Sequence, residues 1–273
     1  MILKGSVFEH KYIISLGLFC FFMIMLAGEY VFPLRRRKWP SGPRFIINIC
    51  ITLLAFTVGV LIVRPVALAT AKWVCSHNFG LVAKLPLPGA VQISMGFILM
   101  DATFYYWHRA NHEIPVLWRF HKVHHVDPDL DVSTAFRFHF GEVLYSTGFR
   151  AAQVLLLGTM PITYLIYEVV FQCANMFHHS NLRLPAGLES KLNIFIVTPR
   201  MHGIHHSQIR NEMNSNYSVV FRSWDWVHRT LRLDIPQASI NIGVKGYQQK
   251  EDNRLWNLLI LPFCKSRNIK KTQ

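Results

Sequence analysis

Fourteen histidines stand in a chain of 273 residues, and eleven of them lie between positions 108 and 206. Most fall in three short runs: HRANH at 108–112, HKVHH at 121–125 and HGIHH at 202–206. On a helix, residues three and four apart share a face. His108 and His112 have that spacing, as do His121, His124 and His125, and again His202, His205 and His206. Each run therefore projects its imidazoles in one direction. Neutral imidazole is a common ligand for iron, zinc, copper and nickel. Eight such ligands exceed the needs of one metal ion and suit two. Helical bundles host two-metal sites built from facing helices. His10, His77, His139 and His228 stand alone, and a lone histidine carries no such signal.

The elements that must hold these runs are apolar. Hydrophobic residues make up 51% of the chain and charged residues only 16%, against about a quarter charged in soluble domains. Five segments stand out: 12–34, 45–63, 89–107, 143–160 and 161–177. A membrane span needs about 20 residues, which the first three reach. The last pair is shorter and contains Arg150, so a hairpin entering and leaving on one face is expected. The loop RRRKWPSGPR (35–44) carries five basic residues and is assigned to the cytoplasm by the positive-inside rule. The loop 64–88 then lies on the far side, and the third span returns HRANH to the cytoplasm. The fold expected is all-α: a multi-pass helical membrane protein with a cytoplasmic histidine-rich catalytic cap. Three regions follow: an N-terminal transmembrane hairpin and loop (1–88), a catalytic domain (89–235) and a basic cytoplasmic tail (236–273). NYSVVF (216–221) is the one weakly β-like stretch.

The net charge of +14 does not imply nucleic-acid binding. The basic residues flank apolar segments, which fits anionic lipid head groups. The five cysteines are dispersed and form no CxxC, so no disulfide framework is expected.

HRANH, HKVHH and HGIHH, in that order, resemble the three histidine boxes of the fatty acid hydroxylase / sterol desaturase superfamily. The likeness extends through DATFYYWHRANHEIPVLWRFHKVHH, STAFRFHFGE, FHHSN, TPRMHGIHH, NSNYS and SWDWVHRT, covering roughly 95–232. It implies a membrane-embedded, non-haem di-iron oxygenase acting on lipids. It also implies that His108, His112, His121, His124, His125, His202, His205 and His206 are metal ligands, with His178 or His179 adding another and His139 a further candidate. The resemblance departs at WDWVHRT, where a glycine is expected near His228. Two iron ions per chain are implied, with zinc a substitute in purified protein. The expected partners are O2, a lipid substrate from the bilayer and an external electron donor, either a reductase or a cytochrome- or ferredoxin-type carrier. No GxGxxG follows a strand, so the chain supplies no evident dinucleotide domain of its own.

Acids and amides should support the histidines. Asp101 lies two turns before His108 on the same face and is expected to accept from the second ring nitrogen of a ligand. Glu168, Gln172, Asn175 and His179 share one helical face, expected to look toward the metals or the substrate entry. Catalytic support is thus assigned to Asp101, Glu168 and Asn175, while Glu142 is expected to orient His139. Two other functions compete. A membrane zinc hydrolase would want HExxH, which is absent. A metal transporter or sensor would want ionisable residues deep in several spans, and the first two spans are nearly free of them. A terminal KKTQ fits endoplasmic-reticulum retrieval in a eukaryote, whereas a bacterial source would place the protein in the inner membrane.

Overall fold

The computed structural model describes residues 3–265 and 267, and side chains from residue 12 onward; the KKTQ motif lies outside the described residues. Within them the protein is helical, with no strand and only three isolated β-bridges. NYSVVF is therefore not a strand. Its Phe221 makes a single bridge to Ile196.

Helix α1 spans Leu3–Val31. Helix α2 (Ser41–Val58) continues through a π turn (Gly59–Val63) into α3 (Arg64–His77). Pro65 cannot donate to a preceding carbonyl, and the wider turn before it absorbs the register change. The result is one 37-residue helix, Ser41–His77, about 55 Å long at 1.5 Å per residue. This corrects the expected loop: residues 64–77 are helical, and the connection is confined to 78–88. Two helical stretches are long and apolar enough to cross a membrane, Tyr12–Val31 and Ser41–His77. Both expose large apolar side chains such as Phe19, Ile24, Leu53, Phe56 and Leu61.

Helix α4 (Gly89–Glu113) contains the third apolar segment and HRANH. Ile114 breaks the helix in an extended conformation, and Pro115 opens α5 (Pro115–His125), which carries HKVHH. Helices α6 (Phe140–Leu157) and α7 (Pro161–His179) form a hairpin. Its turn is tied to the 78–88 connection by Leu81 N–H to Leu156 O and Val82 N–H to Leu157 O. Gly80 and Gly158 both have positive φ, and a Cβ on Gly80 would meet the Gly158 backbone. The hairpin thus reaches the end of the bundle at which α3 stops.

At the other end, the basic loop after α1 folds over the histidine-bearing segments. Leu34 N–H donates to Asn181 O, and the Asn181 side chain bonds both the N–H and the carbonyl of Arg35. Short helices α8 (Ala186–Leu192), α9 (Pro199–His205), α10 (Arg210–Met213), α11 (Ser223–Val227) and α12 (Leu255–Ile260) complete this end. Described residues after 235 pack against the rest of the protein. Val244, Tyr247, Leu258 and Leu261 pack in one apolar cluster with Ile51 of α2 and Val123 and Val126 of the α5 region. A second cluster joins α3, α4, α6 and α7 through Ala67, Ala71, Met100, Val154 and Tyr164.

Candidate metal centre

The three runs converge, and a fourth element joins them. His108, His112, His121, His125 and His205 form one group, and His124, His179, His202 and His206 form a second. Within each group the candidate ligand atoms lie within 4.8 Å of one another. Thus α4, α5 and α9 build the first group, while α5, α7 and α9 build the second. Helices α5 and α9 serve both because HxxHH places its last two histidines at adjacent positions, pointing about 100° apart on a helix.

Ring orientation is fixed from behind. His108 Nδ1 bonds Tyr217 O at 2.7 Å, His205 Nδ1 bonds Ser215 O at 2.7 Å, and His179 Nδ1 bonds Asn175 O at 2.9 Å. A carbonyl only accepts, so each of these Nδ1 atoms carries the proton and each Nε2 keeps a free lone pair. His121 is held the same way by Glu142 Oε1 at 2.8 Å. The Nε2 atoms of His124, His179, His202 and His206 then face one another in a chain with separations of 3.0, 3.0 and 3.2 Å. His112 and His125 have no hydrogen-bond partner on either nitrogen.

Such an arrangement is costly without a ligand. A buried polar atom left unpaired costs on the order of 1–3 kcal/mol, and the orphans in the first group are both nitrogens of His112 and His125 and Nε2 of His121 and His205. Protonation does not relieve the cost. Burial first, and neighbouring imidazoles next, push His124, His125, His202, His205 and His206 well below the ordinary imidazole range. Neutral imidazoles aiming lone pairs at a shared centre fit metal ions. Nitrogens about 2.1 Å from one ion at right angles would be about 3.0 Å apart, close to the spacing of the second group. Aromatic walls exclude water: Phe138 stacks on His124 with ring centres 4.6 Å apart, and Trp118 and Tyr217 border His112.

Several expected placements change. His139 joins neither group; it caps α6, accepting from Gly141 N–H through Nδ1, while Nε2 meets Leu259 O. Both its nitrogens are engaged, leaving no lone pair for a metal. His178 lies behind His202, with ring centres 4.1 Å apart, outside both groups; its neighbour His179 is the one that enters. Glu142 orients His121, not His139.

Asp101 does not accept from a histidine. It receives Val220 N–H, Phe221 N–H and Trp224 Nε1–H. Glu168 pairs with Arg150 at 2.9 Å, away from the histidines. The Asn175 side chain donates to Ala135 O, and only its backbone carbonyl holds His179. The stripe on α7 does face inward, but only its last member reaches a group.

Residue-type and spacing arguments missed the loop that orients two of the histidines. Ser215 and Tyr217 supply their carbonyls. Asn216 between them has φ 55° and is pinned by bonds to Met201 O, Arg232 O and Arg232 N–H. Asp225 accepts from Tyr217 N–H and Ser218 N–H. The signal was present in NSNYS and SWDWVHRT, polar clusters with no helical period. Arg229, beside His228, has φ 58°, a conformation that favours the glycine expected near that site.

A model of the fatty acid hydroxylase family matches residues 93–230, which contain every histidine of both groups. The chain belongs to the fatty acid hydroxylase / sterol desaturase superfamily. Among its relatives are an ornithine lipid hydroxylase of Rhizobium tropici, 31% identical over 159 residues (58% of this chain and 47% of the relative), and human cholesterol 25-hydroxylase, 32% identical over 139 residues (50% and 49%). Human alkylglycerol monooxygenase is 26% identical over 138 residues (50% and 30%). The chain spans about half the length of the first two of these relatives and less of the third. No solved structure matches it.

Proposed function

We propose that the protein is a membrane-embedded, O2-dependent di-iron lipid hydroxylase. The observation that carries this reading is the pair of histidine groups whose candidate ligand atoms converge, with both nitrogens of His112 and His125 and Nε2 of His121 and His205 unpartnered in the first group and four Nε2 atoms facing one another in the second. In it, His108, His112, His121, His125 and His205 hold one iron, and His124, His179, His202 and His206 hold the other. Bound there, iron supplies the one-electron and O2 chemistry that side chains lack. The overall change is R–H + O2 + 2e⁻ + 2H⁺ → R–OH + H2O, with the electrons coming from an external carrier or reductase. Glu142 and the carbonyls of Ser215, Tyr217 and Asn175 keep the ligand rings in one tautomer and orientation. Phe138, Trp118 and Tyr217 exclude bulk water.

The names of the relatives favour hydroxylation over desaturation and a lipid as the substrate class. The membrane arrangement is multi-pass. The basic loop 35–44 and the histidines share one end, assigned to the cytoplasm by the charge rule. The 78–88 connection and the turn between α6 and α7 share the other, so that hairpin crosses as a pair. The absence of HExxH and the enclosed histidine groups weigh against a hydrolase.

The test combines metal and product. Purified protein should contain two irons per chain, with a spectroscopic signature lost in His124→Ala. Reduced protein given labelled O2 and a lipid extract should place one labelled oxygen in a hydroxylated lipid. A protein holding only zinc, giving no O2-dependent product after iron loading, would overturn the reading.

A further inference from the structure

Helix α4 binds part of the cap unusually low along its length. Asp101 precedes His108 by seven residues, about 10 Å along the helix axis. It nevertheless anchors the backbone of Val220 and Phe221 and the indole of Trp224. Phe97, a further turn away, meets Phe221 edge-on with ring centres 6.0 Å apart. Tyr105 and Tyr106 bond Thr230 and His228. The segment 217–230 therefore runs back along α4 toward the apolar bundle.

A second loop is tied to it. Arg222 N–H donates to Phe195 O, its Nε–H to Ile194 O, and its Nη1 to Asn193 Oδ1. Together the two loops form a tip with an exposed apolar surface: Ile194 is 55% exposed, Phe195 69%, Trp226 67% and Val227 58%. The only carboxylate on α11, Asp225, is fully buried, while Lys191 and Arg229 are exposed at the flanks. Tyr106 and Ile98 of α4 are exposed too, and the Tyr106–His228 bond joins that helix face to the tip.

We propose that this tip, residues 194–195 and 223–227, inserts into the interfacial layer of the bilayer on the histidine side and moors the cap to the membrane. Aromatic side chains concentrate at that layer. Amphipathic elements bury their apolar face about 5–10 Å into it, and the bonds of Asp101 to Val220, Phe221 and Trp224 set the start of this segment back from His108 toward the apolar bundle. The cationic flank suits anionic head groups. The inference rests on the membrane arrangement above and not on the iron chemistry.

The test is tryptophan quenching in vesicles of phosphatidylcholine carrying bromine near the top or near the middle of the acyl chain. The Trp226 signal is the difference between wild type and Trp226→Phe, which leaves the tip apolar. Trp73 on α3, obtained through Trp73→Phe, is the reference. Trp226 should lose most of its emission to the shallow bromines, less to the deep ones, and resist aqueous iodide. Quenching by iodide alone would overturn the proposal, and so would shielding from both quenchers, the result expected if protein covers the tip. If Trp73 is quenched by bromolipid while Trp226 is quenched only by iodide, the insertion fails and the membrane arrangement stands. If iodide quenches both, both fall.

Discussion

Two buried polar regions lie side by side at the cap, and they are built on opposite rules. One joins α2 to the residues after α5. Asp127 pairs with Arg44 at 2.7 Å and with Arg137 at 3.5 Å, and Arg44 also pairs with Asp131. Asn48 and Thr134 donate to Asp127, and Arg137 reaches Asn48 and Asn253. Every charge there has a partner of opposite sign. Burial opposes the charge on Asp127, yet Arg44 and Arg137 hold its carboxyl below the usual carboxylate range. The other region, the histidine groups, leaves lone pairs facing one another. Only Val126 separates His125 from Asp127, so chain position does not explain the difference. A network whose charges neutralise one another fastens the cap to α2; one whose uncharged ring nitrogens converge on a shared centre is a candidate binding site.

Substitutions should separate the two. His202→Ala removes a ring facing His179 and His206; hydroxylation should fall to the background of metal-free protein, with iron lost from the second group while the helical circular-dichroism signal remains. A variant that keeps iron and turnover would erase the contrast. Asp127→Ala should do the reverse. It strands Arg137 in the interior and leaves Arg44 with Asp131 alone, a loss on the order of 3–5 kcal/mol, read as a lower melting temperature and poor recovery from membranes. Iron bound per folded molecule should change little.

Glu142→Gln tests a group belonging to both classes, since it is charged yet serves a candidate ligand. Iron affinity should weaken by about 10- to 100-fold, measured by chelator competition, with a smaller change in melting. His139→Ala gives the smallest effect. It removes a helix cap for about 1 kcal/mol and should leave iron stoichiometry at the wild-type value. Loss of iron in that variant would return His139 to the ligand set.

Much of this was legible in the chain because it is local. HxxxH and HxxHH fix which imidazoles share a helix face, whatever that helix packs against, and so eight of the nine grouped histidines were identifiable. Pro115, Pro161 and Pro199 each mark the first turn of a helix that ends in histidines. The choice of His179 over His178 was not legible. Neighbours on a helix differ by about 100° in direction, and only the packing of α7 against α9, which brings His179 to His202 and His124, selects one of them. His139 follows the same logic: its spacing carries no information, and its contacts with Gly141 and Leu259 occupy both nitrogens.

By itself, the sequence pointed to helices throughout, three apolar segments of span length and three imidazole-bearing helix faces; two of those segments lie in helices long and apolar enough to cross a bilayer. These follow from backbone periodicity and composition, which act within a few residues. The tertiary structure alone decided that the faces meet as two groups, that Glu142 serves His121, that Asp101 holds a loop and not a ligand, and that Val244, Tyr247, Leu258 and Leu261 complete a core cluster. Those outcomes join positions well separated in the chain, 21 apart for His121 and Glu142 and 123 apart for Asp101 and Trp224, where a carboxylate's or an imidazole's partner is set by packing and no local pattern records it.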